Sequence, residues 1–210
     1  MIDNFDDIKK LMSFDSKEDF YYVQILKRRK DNPDMDKDTA VIRDYYINSF
    51  EYFDNKKERM IEYAEKYNAR VTIRLNKRSY KKLATKMTKD IMDVIDSENY
   101  HRLSKVFSSC AGRYAAESDT KWIIDIDKEN LEDPMFNLDT LKADLENYKP
   151  IDVTKYVTEV KSNSGIHLIV RPFNISGFRG DYSGIEVKKD EPTNLYIPNL
   201  TKEEEELETT

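Results

Sequence analysis

The chain has 210 residues and a net charge of −6, and its 36% charged and 39% hydrophobic residues make it polar but still able to bury a core. The negative net charge argues against a protein that coats nucleic acid by bulk charge, although 35 Lys and Arg residues allow a local basic groove. One cysteine and two histidines exclude an internal disulfide and a cysteine zinc cluster, and leave too few ligands for a zinc site.

The sequence also indicates in which compartment the protein is expected and whether it associates with a membrane. The N-terminal segment is acidic and lacks the basic start and apolar run of a signal peptide. No stretch approaches the ~18 apolar residues that a membrane span needs. A lone cysteine is typical of a reducing compartment. We therefore expect a soluble cytoplasmic protein, in the host cytoplasm if it is viral, with no membrane partner.

The first half of the chain mixes helical and extended patterns. Residues 1–15 are acidic and are expected to be loosely held, and residues 19–29 fit either a strand or a short helix. Apolar side chains spaced by three and four predict helix over residues 39–67. Strict alternation of polar and apolar side chains over residues 69–75 then predicts a strand.

The rest of the chain adds helices and then several strands. Ser79 is an N-cap candidate for a helix over residues 80–95, with Leu83, Met87, Ile91 and Ile95 on its inner face. The stretch to residue 117 also predicts helix. A further helix is predicted over residues 138–148. Strands are predicted at residues 121–127, 156–161, 167–173, 184–189 and 194–197.

These elements predict an α+β fold in three parts. Residues 1–118 form a mostly helical N-terminal αβ part, and residues 119–200 contribute most of an antiparallel sheet. Residues 201–210, with four consecutive glutamates, form an acidic, disordered tail.

Asp125 and Asp127 end an apolar strand that begins with Trp122. Side chains alternate along a strand, so both carboxylates point to one face, where a cation would relieve their repulsion. Hard oxygen ligands of this kind suit Mg²⁺ or Mn²⁺. A strand that leaves the core and turns its first polar residues to solvent explains the spacing equally well.

Two further segments combine polar side chains with apolar strands. Ser164 and His167 flank the start of a strand, after a Ser-Gly turn that would present a hydroxyl and an imidazole from one rim. Glu186 and Lys188 lie on one face of a strand whose other face is apolar. Taken singly, a packed histidine and an ordinary amphipathic strand are the favoured interpretations.

Basic residues cluster at residues 27–30 and again at Arg74, Lys77 and Arg78. Arg171 lies near the histidine strand. Guanidinium groups suit the phosphates of triphosphates and nucleic acids. For any single one of these residues, a solvated basic loop is the simpler explanation.

In combination, the segments resemble the archaeo-eukaryotic primase superfamily, and look most like its primase-polymerase branch in phages and mobile elements. The residues that match its three motifs are Asp125 and Asp127, then Ser164 and His167, then Glu186. Residues 195–198 also resemble the closing strand of that family. The resemblance covers residues 120–200, and the part before it matches only in being αβ.

The resemblance implies an RRM-like antiparallel sheet as the catalytic core, behind a smaller N-terminal αβ unit. It implies a metal-dependent nucleotidyltransferase, a DNA-directed primase or polymerase that makes or extends short strands on a template. Its partners would be nucleoside triphosphates, a single-stranded nucleic acid template and a separate helicase or replication protein.

Roles for individual residues follow from the same resemblance. Asp125, Asp127 and Glu186 would bind Mg²⁺ or Mn²⁺, and would be catalytic together with His167. Nucleotide phosphates would be bound by Ser164 and His167, helped by Lys161, Arg171 or Lys188. Template or triphosphate would be bound by Arg74, Lys77 and Arg78.

The sequence departs from the family pattern, and alternatives stay open. The second motif has Ser-x-x-His spacing instead of Ser-x-His, and no zinc module is present. The third acid is a glutamate, and Asp181 or Asp190 could take its role. A catalytically inactive descendant that binds nucleic acid or protein is one alternative.

A PD-(D/E)xK-like metal-dependent nuclease is another alternative. Glu186 and Lys188 match the E-x-K half of such a site, with Asp181 as its upstream acid. The two enzyme hypotheses make different geometric demands. The nuclease needs Asp181 beside Glu186, whereas the polymerase needs the Asp pair and His167 beside Glu186 on one sheet face.

Overall fold

The computed structural model describes residues 1–115 and 119–199. These residues form seven α-helices and ten strands, and the strands pair into two antiparallel sheets. The strands are β1 (Ile2–Asp3), β2 (Asp19–Arg28), β3 (Thr39–Ile47), β4 (Arg70–Arg74), β5 (Arg78–Ser79), β6 (Trp122–Asp127), β7 (Tyr156–Lys161), β8 (Gly165–Val170), β9 (Glu186–Lys188) and β10 (Pro192–Ile197). The helices are α1 (Phe5–Lys9), α2 (Phe50–Lys66), α3 (Tyr80–Asp96), α4 (Val106–Arg113), α5 (Lys128–Glu132), α6 (Leu138–Leu145) and α7 (Ile175–Asp181). The predicted boundary at residue 118 and the predicted tail 201–210 lie outside the described residues.

The larger sheet has six strands in the order β1-β10-β4-β2-β3, with β5 paired to β2. Side chains of β2 alternate between two cores. Tyr21, Val23 and Ile25 pack with α1 and α2, while Phe20 and Tyr22 pack with α3 and α4. The sheet is therefore covered by helices on both faces along part of its length.

The smaller sheet has four strands in the order β7-β8-β6-β9, and each neighbouring pair is antiparallel. Along the chain its elements follow the order β6, α5 and α6, β7, β8, α7, β9. Ile124 and Ile126 pack with Leu141 of α6 and Phe178 of α7 on one face. The opposite face, which carries Ile123, packs instead into the core of the larger sheet.

The last strand joins the two parts of the chain. β10 pairs with β1 and β4 and so lies inside the larger sheet, although β9, just before it, belongs to the smaller one. The expectation that residues 119–200 contribute most of the sheet structure is therefore wrong for the larger sheet, whose strands come mainly from residues 1–79.

An ion pair between a partly exposed carboxylate and a buried guanidinium fixes the connection between the sheets. Asp190, between β9 and β10, accepts hydrogen bonds from Arg78 Nη2 at 2.7 Å and from Asn76 Nδ2 at 3.0 Å. Arg78 is completely buried and also donates to the carbonyl of Ala111. The carboxylate therefore neutralises a cation that has no access to solvent.

The prediction of helix over residues 39–67 is wrong in its first half, because residues 39–47 form β3 and only α2 is helical. The pairing of β3 with β2 shifts register at Ile42, where one extra residue makes a bulge. A bulge breaks the two-residue period of a strand. The apolar residues on its two sides then show a spacing that imitates a helix.

Two smaller expectations also need correction. Residues 1–15 are not loosely held, because Phe5 and Ile8 are fully buried and β1 pairs with β10. In α3, which Ser79 caps as predicted, Ile95 is exposed and Val94 is buried instead. Twelve residues from Leu83 to Ile95 drift by about 120° around a helix of 3.6 residues per turn, whereas eleven residues drift by about 20°.

No helix in the described residues has both the length and the apolar content that crossing a bilayer requires.

Candidate functional site

Asp125 lies at the centre of the smaller sheet, between two polar neighbours. The pairing register sets it opposite His167 on β8 and opposite Glu186 on β9. Directly opposite residues of antiparallel strands point to the same face. Three residues that lie 19 to 61 positions apart in the chain are therefore neighbours on one face of the sheet.

His167 is held from both sides of its ring. Nε2 lies 3.2 Å from Asp125 Oδ1, and Nδ1 lies 2.7 Å from the hydroxyl of Thr193, which is fully buried on β10. A carboxylate only accepts hydrogen bonds, so Nε2 carries the proton. In the neutral imidazole, Nδ1 then accepts from Thr193. The larger sheet thus fixes the orientation of this ring.

Lys188 places a positive charge between two carboxylates. Its Nζ lies 2.5 Å from Asp125 Oδ2 and 3.4 Å from Glu186 Oε2. The hydrogen bond from His167, aided by Lys188, lowers the pKa of Asp125 to about 2, although partial burial raises it. Burial lowers the pKa of Lys188, but the hydrogen bond and charge of Asp125 outweigh it and raise that pKa. Both groups are therefore charged at neutral pH.

Asp127 and Ser164 meet at the rim of the sheet. The Ser164 hydroxyl donates to Asp127 Oδ1 at 2.9 Å, and the carbonyl of Ser164 accepts from the Lys128 amide. Gly165 permits this approach, because a Cβ at that position would lie 2.0 Å from the Ile126 carbonyl oxygen. Asp127 is also the N-cap residue of α5, so helix capping accounts for part of its role.

A cleft of about 390 Å³ lies between the two sheets. The wall from the smaller sheet carries Asp125, Asp127, Ser162, Ser164, His167 and Lys188. The wall from the larger sheet and its β2–β3 connection carries Leu26, Arg28, Lys30, Arg70, Thr72 and Asn194. The predicted motif residues thus line a cavity of ligand size, with the exception of Glu186, whose side chain is 66% exposed and lies outside it.

Five residues predicted to bind phosphates do not line the cleft. Lys161 follows Val160, the partner of His167, and therefore faces the other side of the sheet. Arg171 follows the far end of β8 and donates to the Thr154 carbonyl. The other three make internal ion pairs: Lys77 with Asp15 and Asp19, and Arg74 and Arg78 with Asp190.

The three candidates for the third carboxylate differ in position. Glu186 pairs with Asp125, whereas Asp190 belongs to the Arg78 ion pair. Asp181 ends α7 and accepts a hydrogen bond from Tyr148 at 2.7 Å. Helix α7 packs on the face opposite to Asp125. The arrangement that the nuclease alternative needs, with Asp181 beside Glu186, is therefore not the one observed.

The acidic residues of the site suit a hard cation in their chemistry. Asp125 and Glu186 already converge on one cation, the Lys188 ammonium. Among the described residues, no group of three or more His, Cys, Asp and Glu side chains is close enough to hold a metal ion. A divalent ion bound by Asp125, Asp127 and Glu186 would therefore have to displace Lys188.

Several cleft residues were not assigned a role from the sequence. Arg28 and Lys30 belong to the basic cluster at residues 27–30, which is a visible signal, but nothing in the sequence shows that they face the motif residues. Ser162 lies two positions before Ser164 in the turn between β7 and β8, and its position in a turn gives no signal that its hydroxyl faces a cleft. Thr193 is fully buried in β10 and carries no sequence signal of its contact with His167.

No protein-family model, curated protein or solved structure matches this chain. The resemblance to the primase-polymerases consequently rests on the motif residues of the sequence alone.

Proposed function

We propose that this protein is a metal-dependent nucleotidyltransferase of the primase-polymerase type, which extends a nucleic-acid strand on a single-stranded template. The observation that carries the proposal is the register that sets Asp125 opposite both His167 and Glu186. A motif match by chance would leave the three motifs scattered over the fold. Here Asp125 and His167 line a cleft of ligand size and Glu186 lies beside Asp125, outside the cleft, and this proximity supports a common function.

The topology of the smaller sheet supports the same proposal. Its elements alternate as β-α-β-β-α-β if α5 and α6 are counted as one connection, and this alternation with the strand order β7-β8-β6-β9 is similar to that of a split βαβ unit. The two strands that carry Asp125 and His167 are the central pair of this sheet. An RRM-like core is what the resemblance implies for the catalytic part.

Each residue of the site has a separate role in the proposed nucleotidyl transfer. Thr193 holds the His167 ring so that Nε2 can donate to an anionic ligand in place of Asp125. Asp125, Asp127 and Glu186 would hold Mg²⁺ or Mn²⁺, which would activate the attacking hydroxyl and stabilise charge on the leaving group. Lys188 balances the carboxylate charge until a substrate arrives, and its flexible side chain can turn toward the phosphates.

The test is incorporation of labelled nucleotides on single-stranded templates of defined sequence, with Mg²⁺ or Mn²⁺. We expect template-dependent extension by the parent protein. Asp125→Asn and Glu186→Gln should each reduce it by at least about a hundredfold, because each removes a carboxylate from the metal site. Extension that survives Asp125→Asn, or a parent without activity and without nucleotide binding, would refute the proposal.

Asp181→Asn separates the polymerase from the nuclease alternative. The amide keeps an oxygen to accept from Tyr148, so the fold should be retained. The polymerase proposal predicts full extension activity for this variant. Loss of a metal-dependent strand cleavage in this variant would favour the nuclease instead.

A second candidate is a nucleotide-binding protein without metal-dependent chemistry. The contacts of Lys188 with Asp125 and Glu186 favour it, because they balance the site without a divalent ion. Such a protein would bind nucleotide equally well with and without EDTA. It would not incorporate nucleotides at any Mn²⁺ concentration.

A further inference from the structure

The hydroxyl of Ser162 is a buried polar group that lacks a partner among the described residues. Ser162 is 7% exposed and lines the cleft, and its Oγ makes no hydrogen bond within the described part of the chain. Buried hydroxyl groups are nearly always hydrogen-bonded, since an unmade bond carries the full cost of desolvation. An orphaned hydroxyl in the wall of a cleft therefore indicates a bond that is completed by a ligand.

Arg28 and Lys30 are the corresponding cations on the opposite wall. Both are exposed and line the cleft, and neither makes an ion pair with any residue in 1–115 or 119–199. The other two Lys and Arg residues that line the cleft are neutralised: Arg70 pairs with Asp31 at 2.5 Å and Lys188 pairs with Asp125 at 2.5 Å. Of these four cations, Arg28 and Lys30 are therefore the two without an ion pair to a described residue.

The unpaired cations of the cleft lie opposite its two aspartates. The smaller sheet contributes Asp125 and Asp127, with Lys188 beside Asp125, while the larger sheet and its connections contribute Arg28 and Lys30 together with Glu191. A ligand that combines phosphates with a bound cation complements both walls, because its phosphates face the basic residues and its cation faces the acids. A volume of about 390 Å³ suits one small molecule.

We propose that Ser162, Arg28 and Lys30 bind the phosphate chain of a nucleoside triphosphate, in the place that the sequence assigned to Arg74, Lys77 and Arg78. This inference rests on the proposed function for the identity of the nucleotide. Arg28 and Lys30 attract and orient the phosphates at the mouth of the cleft. Ser162 donates its hydroxyl to a phosphate oxygen deeper inside.

The first experiment measures the affinity of the full chain for the Mg²⁺ complexes of inorganic triphosphate and of a nucleoside triphosphate, by calorimetry at one fixed salt concentration. The double variant Arg28→Ala, Lys30→Ala should bind both at least about tenfold more weakly, because it loses two charge-assisted contacts. The matched control is Lys27→Ala, Arg29→Ala. It removes the same charge from adjacent positions that do not line the cleft.

The second experiment uses Ser162→Ala, whose two effects should have opposite signs. Without ligand, its unfolding midpoint should equal or exceed that of the parent, because the substitution removes an unsatisfied buried group. Its affinity for inorganic triphosphate should fall by about fivefold, which corresponds to one hydrogen bond. A variant that is destabilised and binds normally would show that the hydroxyl is structural.

The outcomes separate this inference from the proposed function. If triphosphate binding depends on the three residues but the parent incorporates no nucleotide, the phosphate site stands and the polymerase proposal fails. If the parent incorporates nucleotides and the double variant binds triphosphate like the parent, the phosphate site is overturned. It is also overturned if the double variant loses only its affinity for single-stranded oligonucleotides, since Arg28 and Lys30 would then contact the template.

Discussion

Asp125 and His167 face each other across β6 and β8, with Asp125 Oδ1 3.2 Å from His167 Nε2. Two helices and a strand lie between them in the chain. The contact couples the charge of a carboxylate in the smaller sheet to a ring that Thr193 anchors to the larger sheet. Protonation of Asp125 should therefore lower the free energy of unfolding.

Acid titration of Asp125 gives the first prediction. Its pKa is about 2 in the folded protein, against an ordinary value of 3.8. A lowered pKa contributes stability that is complete above about pH 4 and is lost as the pH falls toward 2. We expect the parent to lose about 2 kcal/mol more than Asp125→Asn between pH 5 and pH 2. Denaturant unfolding in EDTA measures this difference, and parallel pH curves would contradict it.

Removal of the Lys188 ammonium should improve metal binding. Lys188→Met frees oxygens of Asp125 and Glu186, so we expect Mn²⁺ to bind at least about tenfold more tightly. The control is Lys189→Met, which removes the same charge from the next residue, whose Nζ lies 5.1 Å over the Trp122 ring. Calorimetry or the paramagnetic signal of free Mn²⁺ measures the affinity. Equal gains in both variants would mean that only net charge matters.

Gly165→Ala should destabilise the protein by at least about 2 kcal/mol, since its Cβ would overlap the Ile126 carbonyl oxygen and force β6 and the Ser164 turn apart. Gly180→Ala is the matched control. Gly180 lies in α7, and apart from its chain neighbours and the backbone of its own helix no atom of the described residues comes within 4 Å of the position that its Cβ would occupy. Alanine should therefore raise stability there by about 0.5–1 kcal/mol. Thermal or denaturant unfolding distinguishes the two, and a neutral Gly165→Ala would contradict the required close approach.

The Asp190 ion pair gives the fourth prediction. Asp190→Ala leaves the fully buried Arg78 guanidinium without its counter-ion, and should lower the free energy of unfolding by about 3 kcal/mol. Asp54→Ala breaks the exposed pair with Lys9 and should cost less than about 1 kcal/mol. Both values come from chemical denaturation. Similar losses in the two variants would show that Asp190 does not hold the two sheets together.

Local patterns predicted the elements that obey a regular period. The strand at residues 69–75, the Ser79 cap and the strand that ends in Asp125 and Asp127 all occur as expected. Prediction failed at β3, where the bulge at Ile42 interrupts the period, and at Ile95, where helical drift carries a residue off the inner face. Both predictions failed because a short window of sequence does not show where the periodic pattern of buried side chains shifts along a strand or a helix.

The sequence by itself determined which side chains could form a site, because Asp125, Asp127, Ser164, His167 and Glu186 carry their chemistry and their strand positions in the local pattern. Only the tertiary structure decided which basic residues accompany them. Arg74 and Arg78 turn inward to Asp190, while Arg28 and Lys30 line the cleft without an ion pair to any described residue. The reason is physical: a cation pairs with the carboxylate that the folded chain brings close to it. The distance between the two groups depends on pairing between strands that are far apart in the sequence.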